Sequence, residues 1–358
     1  MVRDPVGEMG RAQNGRRATL GDVAAAAGVS VGTASVVFNN HPTARVAKGT
    51  RARVRAAIED LDFRPNLTAR QLRTQQTHTI GVITDEIAST PFAGRILLGA
   101  HEVAWHRGRL LLLVNTNGDA DVERTSVQML IDRRVDGLMY AAQSAHEITL
   151  QPEMRTLPTV LVNAFTRNTG ETPHVIPSVL ADEMHGGSLA VQRVIDAGHR
   201  NIVYLAGDRR LWATKERLKG VRDRLSAAGL PADRTRVIHG TYNIDSGYER
   251  ALAVLARPDR PTALVCGNDR IALGALLAAH ARGLAVPSDL SLVGYDDQEE
   301  LAERLTPPLT TVSLPHFEMG RAGLQTLLDL FDGKAVTPAV SVRGELIERG
   351  SVAAPPSA

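Results

Sequence analysis

Few side chains in this sequence stand at the spacings that chemistry requires. Ser30 lies between two glycines in Gly28-Val29-Ser30-Val31-Gly32, the G-x-S-x-G spacing of a hydrolase nucleophile elbow. That turn needs a strand ahead of the serine, whereas Asp22-Val23-Ala24-Ala25-Ala26-Ala27 reads as helix, so Ser30 is not expected to attack an acyl group. His101 and His106 suggest a zinc pair. Five residues apart on a helix, however, they are rotated by about 140° and share no face. Cys266 is the one cysteine among 358 residues, which excludes an intrachain disulfide and a cysteine metal cluster. Its neighbours, Ala263-Leu264-Val265 and Gly267-Asn268, read as a buried strand entering a turn. Neither common type of glycine-rich phosphate loop is present. The expectation is a protein that is not an enzyme and carries no metal or cofactor.

The charge distribution is more informative than the total. The formal charge is +2, yet residues 1–75 hold 12 Lys and Arg against 6 Asp and Glu, leaving 29 against 33 in the other 283 residues. A basic head on an acidic body is the electrostatic footprint of a phosphate-binding module. No run of eighteen apolar residues occurs, and Met1 to Arg17 is polar and Arg-containing without an apolar core. A cytoplasmic protein with no membrane partner is expected. Residues 1–17 and 350–358 show no periodicity and are expected to be disordered tails.

Within the head, Thr19 can cap a helix whose apolar positions Leu20, Val23 and Ala24 face inward, and Gly28 supplies a left-handed turn. Ser30 caps a second helix over about Val31 to Phe38, and a basic helix with Arg51, Arg53 and Arg55 follows over about Lys48 to Leu61. This is a helix-turn-helix pattern. It would lay its second helix in the major groove of double-stranded DNA, leaving the arginines of the third as phosphate and surface groups.

From Thr79 onward, strands alternate with helices. Strands are expected at Thr79 to Thr84, Leu110 to Asn115, Gly137 to Ala141, Thr159 to Val162, Asn201 to Ala206, Arg236 to His239, Ala263 to Cys266 and Leu290 to Tyr295. Helices are expected at about Gly94 to Arg107, Val122 to Arg133, Met184 to Asp196, Lys215 to Ala228, Ser246 to Leu255 and Arg270 to Arg282. Alternation of this kind predicts parallel strands with right-handed helical crossovers. There are too many strands for one small sheet, so the expected fold class is α/β: an all-α helix-turn-helix head plus two doubly wound, Rossmann-like subdomains with a ligand cleft between them.

The segment from Thr19 to Leu72 resembles the head and hinge of the LacI/GalR family of transcriptional repressors. The similarity continues through Gly198-His199-Arg200, Gly267-Asn268-Asp269, Ala272-Leu273-Gly274, Val286-Pro287, Val293-Gly294-Tyr295-Asp296-Asp297 and Pro308-Leu309-Thr310-Thr311-Val312. It covers about residues 18 to 349. It implies a head over 18–63, a hinge over 64–77 and a body of the type I periplasmic-binding-protein kind over 78–349. The implied N-subdomain takes 78–177 and 309–336, and the C-subdomain 178–308 and 337–349.

The resemblance places Val31, Gly32 and Val36 where bases are read, and Thr19, Ser30, Thr33, Ser35, Asn39, Arg45 and Arg51 complete the head's DNA-contacting set. Many members carry Arg, Asn or His where Val36 stands. Two valines and a glycine cannot make the bidentate hydrogen bonds worth about 1 to 3 kcal/mol each, so apolar contact with thymine methyl groups and greater dependence on the hinge are expected. Pro65-Asn66-Leu67-Thr68-Ala69-Arg70-Gln71-Leu72 resembles the family's hinge helix, with Asn66 and Ala69 against DNA and Leu72 wedging into the minor groove.

In the body, the resemblance implies an effector pocket formed by Phe92, Asn163, Arg217, Tyr242, Asn268, Asp296 and His316. Arg217 would act as a forked donor, with Asn268 and Asp296 opposite and Tyr242 as an aromatic wall. Guanidinium, amide, carboxylate and aromatic groups together suit a polyhydroxylated sugar, with a purine or nucleoside as the alternative. The family further implies a homodimer on a pseudo-palindromic operator. A sugar-binding transport protein would share the two-lobed body, but it requires an export signal and no DNA-binding head.

Overall fold

The computed structural model describes residues 18–39, 45–64, 76–87, 94–167, 176–231, 233 and 236–356, and divides the chain into one unit ending at Thr77 and another from His78 to Ala358. In the first unit, helix α1 (Leu20–Ala27) opens with a capping box: the Thr19 hydroxyl accepts from Asp22 N at 3.2 Å, and the Asp22 carboxylate accepts from Thr19 N at 2.7 Å. The helix ends at Gly28 with φ 62°, a left-handed conformation that would strain any residue bearing a Cβ. Ser30 then caps α2 (Val31–Phe38) by accepting from Thr33 N at 3.2 Å, and α3 (Lys48–Asp60) closes the unit. Val23, Ala24, Ala27, Ala34, Val37, Val54 and Ala57 form a small core, with Phe38 set edge-on to Phe63. Arg53 is exposed, as expected of a surface group, and also has a local partner. Its Nε donates to the Ala27 carbonyl at 3.2 Å, so it caps the end of α1.

From His78 the chain runs β1 (Thr79–Thr84), α4 (Gly94–His106), β2 (Leu110–Asn115), α5 (Ala120–Asp132), β3 (Gly137–Glu147), β4 (Thr159–Phe165), β5 (Ser178–Ala181) and α6 (Glu183–Asp196). It continues through β6 (Ile202–Leu205), α7 (Trp212–Ala227), β7 (Val237–Ile238), α8 (Ile244–Leu255), β8 (Ala263–Cys266), α9 (Asp269–Ala281) and β9 (Ser291–Val293). It ends with β10 (Thr311–Val312), α10 (His316–Phe331), β11 (Ala339–Val342) and β12 (Leu346–Ile347). Among the described residues two larger sheets form, β11-β5-β4-β3-β1-β2 and β7-β6-β8-β9, with every pairing inside them parallel, beside a small antiparallel pair, β10-β12. Each larger sheet carries helices packed around its own buried apolar core. These are the two doubly wound subdomains.

Two expectations need correction. Strands β5 and β11 belong to the first sheet, so the lobes divide after Ala181 instead of after 177, and residues 339–342 return to the N-subdomain. Strand β11 lies at the sheet edge with its side chains exposed or half-buried, so it lacks the wholly apolar run that marks the equally short β8, and pairing with β11 and β4 fixes the place of β5. The end of the chain is docked as far as it is described. Ser351 is buried, its hydroxyl donates to the Leu292 carbonyl at 2.7 Å and accepts from Thr310 N at 2.8 Å, and Leu292 N donates to its carbonyl. The residues expected as a tail at 1–17 and most of the hinge at 65–75, including Asn66, Ala69 and Leu72, lie outside the described residues.

Candidate functional site

The first unit presents one open helix face. On α2, Ala34 and Val37 turn into the core, while Val31 is 53 % exposed, Gly32 and Asn39 are exposed, and Ser35 and Val36 are half-buried. The helical period thus gathers Val31, Gly32, Ser35, Val36 and Asn39 on the side away from α1 and α3. Several expected contact groups already have local partners. Thr19 and Ser30 are caps, the Thr33 hydroxyl shares a 2.9 Å hydrogen bond with Ser30, and the Asn39 amide donates to the Ser35 carbonyl at 2.9 Å. Arg45 is exposed, and the Arg51 Nε donates to the Val46 carbonyl at 3.4 Å.

In the second unit, side chains from both lobes converge on a cavity of about 330 Å3 whose lining includes Gln143, Asn163, Glu183, Arg217, Tyr242, Asn268, Arg270 and Asp296. The N-subdomain wall exists because the β3–β4 register breaks between Ala141 and His146. Asn163, at φ 55°, fills the break by donating its amide to the carbonyls of Ala142 and Gln143, both at 3.0 Å, while Asp85 accepts from Gln143 N at 3.0 Å. The bulge turns Gln143, Ser144 and Ala145 toward the cavity. A polar wall forms at the end of an otherwise apolar strand.

The opposite wall is built on a helix crossing. A Cβ at Gly220 of α7 would lie 1.8 Å from the Met184 carbonyl of α6, and one at Gly187 of α6 would lie 2.2 Å from the Arg217 carbonyl. Backbone touching backbone brings Arg217 to Glu183. The Glu183 Oε2 accepts from Arg217 Nε at 2.8 Å and lies 2.7 Å from its Nη2, Nη1 donates to the Gly267 carbonyl, and the guanidinium stands 3.4 Å over the Tyr295 ring. Burial works against the Arg217 charge, yet Glu183 holds its pKa well above the ordinary value. Asn268 caps α9 by accepting from Ile271 N at 2.8 Å and donates to the Tyr242 carbonyl at 3.2 Å. The Tyr242 hydroxyl shares a 2.7 Å hydrogen bond with Thr214.

Asp296 stands at a lobe crossover. Its backbone, at φ 106°, is pinned where few side-chain-bearing residues go, with its N–H on the Val312 carbonyl at 2.7 Å and its carbonyl accepting from Leu314 N at 3.1 Å. Burial raises its carboxyl pKa well above the usual range, with Arg217 pulling the other way. Of the seven residues expected in the pocket, Asn163, Arg217, Tyr242, Asn268 and Asp296 line it together. His316 begins α10 and lines an adjoining cavity of about 600 Å3, which shares Asp296, Gln298 and Leu314 with the first. Phe92 lies outside the described residues.

Sequence reasoning missed Glu183, Tyr295, Gln143 and the Phe165–Trp212 ring contact, 5.5 Å between centroids, which joins the lobes beside the cavity. Glu183 follows Asp182 at the start of a helix, where acids are ordinary, so its sequence position gave no sign of burial. Tyr295 lies within Val293-Gly294-Tyr295-Asp296-Asp297, where nothing local ties it to Arg217.

A helix-turn-helix unit followed by a two-lobed body with a polar cavity in its cleft defines a class: DNA-binding regulators governed by a small molecule. The chain belongs to the lacI family of bacterial regulatory proteins, whose model matches residues 19–66, while the model of a periplasmic binding protein-like domain matches residues 191–352. Among its relatives, the HTH-type transcriptional repressor PurR of Photobacterium profundum is 32% identical over 338 residues, covering 94% of this chain and 98% of the relative. The ribose operon repressor of Escherichia coli is 34% identical over 313 residues, covering 87% and 92%. A lac repressor dimer bound to operator and an anti-inducer superposes with a TM-score of 0.74 at 29% identity, over 95% of this chain and 100% of that one. The regulator CelR in complex with cellobiose superposes with a TM-score of 0.64 at 32% identity, over 94% and 100%. The chain is a ligand-responsive, DNA-binding transcriptional repressor. No single described helix is long and apolar enough to cross a membrane.

Proposed function

We propose that this repressor works in the cytoplasm as a homodimer on a pseudo-palindromic operator, and that a sugar-like effector in the 330 Å3 cleft cavity sets its operator affinity. It performs no catalysis and uses no cofactor. The convergence of Asn163, Arg217, Tyr242, Asn268 and Asp296 from both lobes on one cavity carries this reading. An effector gripped by both lobes favours one lobe arrangement over another, and that differential affinity is the physical requirement for coupling. The volume falls at the lower end of the range of about 300 to 1,000 Å3 usual for small-molecule sites. A ribose operon repressor and a cellobiose complex among the similar proteins support a sugar.

On the DNA side, the open α2 face with Val31, Gly32 and Val36 reads bases through apolar contact, and Arg45 and Arg51 serve the phosphates. For the dimer, edge strand β2 and neighbouring α4 expose Leu110 at 65 % and Trp105 at 72 %, together with Leu98 and Leu113. An apolar sheet edge invites pairing unless it is covered, and a second copy of the chain covers it.

A thermal-shift screen of pentoses, hexoses, disaccharides and nucleosides tests the cleft. A compound at 100 times its Kd stabilises the fold by about 2.7 kcal/mol, a rise of several degrees in Tm. The response should vanish in Asp296→Asn. A response that survives this substitution places the ligand elsewhere and refutes the reading.

A further inference from the structure

We propose that the effector is uncharged where it meets Arg217, and that Glu183 is the specificity residue that makes the cleft reject anionic, phosphorylated ligands. The inference rests on the reading that this cavity is the effector site. An arginine in a small cavity ordinarily acts as a receptor for phosphate or carboxylate, because its planar fork matches two oxygens of an anion. Here that fork is already occupied. Glu183, itself only 5 % exposed, receives the Nε edge of a guanidinium that is 3 % exposed. The Tyr295 hydroxyl bonds the same carboxylate, and the Tyr295 ring covers one face of the guanidinium. The positive charge is therefore spent inside the wall, and Arg217 offers the cavity hydrogen-bond donors without a net charge.

The remaining groups lean the same way. Asp296 adds a second carboxyl to the lining, and Arg270, which also borders the cavity, is solvent-exposed and donates to Gln298 at 3.2 Å. The buried ion pair of the lining is Arg217 with Glu183, while burial favours the neutral carboxyl at Asp296. A phosphate would lose its water without gaining a buried, unpaired cation, because Arg217 is held by Glu183 and Arg270 is exposed and screened by solvent. A hydroxyl, by contrast, can accept from Arg217 and donate to Asp296 at once. The chemistry recognised is a neutral polyol or nucleoside, discriminated from its own phosphate ester.

The test is titration calorimetry on the full chain with matched pairs, ribose and ribose 5-phosphate, glucose and glucose 6-phosphate, adenosine and adenosine monophosphate, alongside inorganic phosphate alone. For any parent compound that binds, its phosphate should bind at least about 30-fold more weakly, and inorganic phosphate should not register. Glu183→Gln keeps the shape and an acceptor oxygen but frees the Arg217 charge, so inorganic phosphate and the phosphate esters should gain at least about tenfold. Glu183→Asp, which keeps the carboxylate but draws it back from Arg217, should raise anion binding in the same direction by a smaller factor and covers the case in which Glu183→Gln does not fold. Wild-type protein that prefers a phosphate ester, or folded variants that gain no affinity for inorganic phosphate, overturn the proposal. A phosphate ester that wins and is lost on Tyr242→Ala leaves the cleft reading standing and removes only the charge assignment.

Discussion

Gly220→Ala tests whether the helix crossing builds the site. The new Cβ would lie 1.8 Å from the Met184 carbonyl, and moving it to 3.0 Å, below which real Cβ contacts are essentially never seen, requires α6 and α7 to part by 1.2 Å. Neither contacting group is a flexible side-chain tip, so the backbones themselves must move. Overpacking of this kind costs about 1 to 3 kcal/mol. Arg217 sits one turn before Gly220, and Glu183 is adjacent to Met184, so the separation also stretches contacts that now measure 2.7 and 2.8 Å. Weakening a buried pair adds to the loss, and about 3 kcal/mol in total is expected. In a domain of this size that lowers Tm by about 6 to 12 °C. Differential scanning calorimetry of the full chain reads the stability, and the same protein should bind the screened effector at least tenfold more weakly. Gly49→Ala in α3, where a Cβ meets nothing within 4 Å, is the control and should be neutral or slightly stabilising. If Gly220→Ala melts with wild-type protein and binds ligand unchanged, the crossing does not position Arg217.

Three further predictions follow from other parts of the molecule. Burial holds the His199 pKa below its ordinary 6.5, with the Ala353 carbonyl opposing. The unfolded chain therefore takes up a proton that the folded chain refuses, so this stability is complete above pH 6.5 and lost as pH falls toward the lowered value. Tm measured from pH 7.5 to 5.5 should drop more steeply in wild type than in His199→Gln, and parallel slopes would contradict the assignment. Trp105→Glu should shift sedimentation toward monomer and weaken operator binding without unfolding the body, because Trp105 is 72 % exposed in the chain; an undisturbed dimer would move the interface elsewhere. Val36→Arg should change the operator motif recovered by selection, since an arginine on the open α2 face can fork to guanine, and an unchanged motif would argue against that face reading bases.

Local physics made much of the fold legible. Thr19, Gly28 and Ser30 act within a few residues of their own positions, so the caps and turn of the head could be read directly, as could most strand–helix alternation from Thr79 onward. Strands β5 and β11 could not, because β11 is a half-exposed edge strand without a wholly apolar run and its pairing with β5 joins segments about 160 residues apart. The same limit hid Ser351, whose burial depends on Leu292 and Thr310. In the cleft, resemblance located Arg217 but not the carboxylate that neutralises it. Glu183 is 34 residues away, and only the glycine contacts of two crossing helices bring the pair together. His316 lines the adjoining cavity, which meets the first at Asp296, Gln298 and Leu314.

Occupancy of the cleft should govern the grip on DNA. The most direct test is fluorescence anisotropy of the full chain on the operator upstream of its own gene, at one fixed salt concentration, with and without the effector found by thermal shift. Wild-type protein should change its operator Kd by about 5- to 150-fold, in either direction, and Asp296→Asn should show no ligand-dependent change. An operator affinity indifferent to the bound effector, or a shift that persists in Asp296→Asn, would show that the cleft does not control DNA binding.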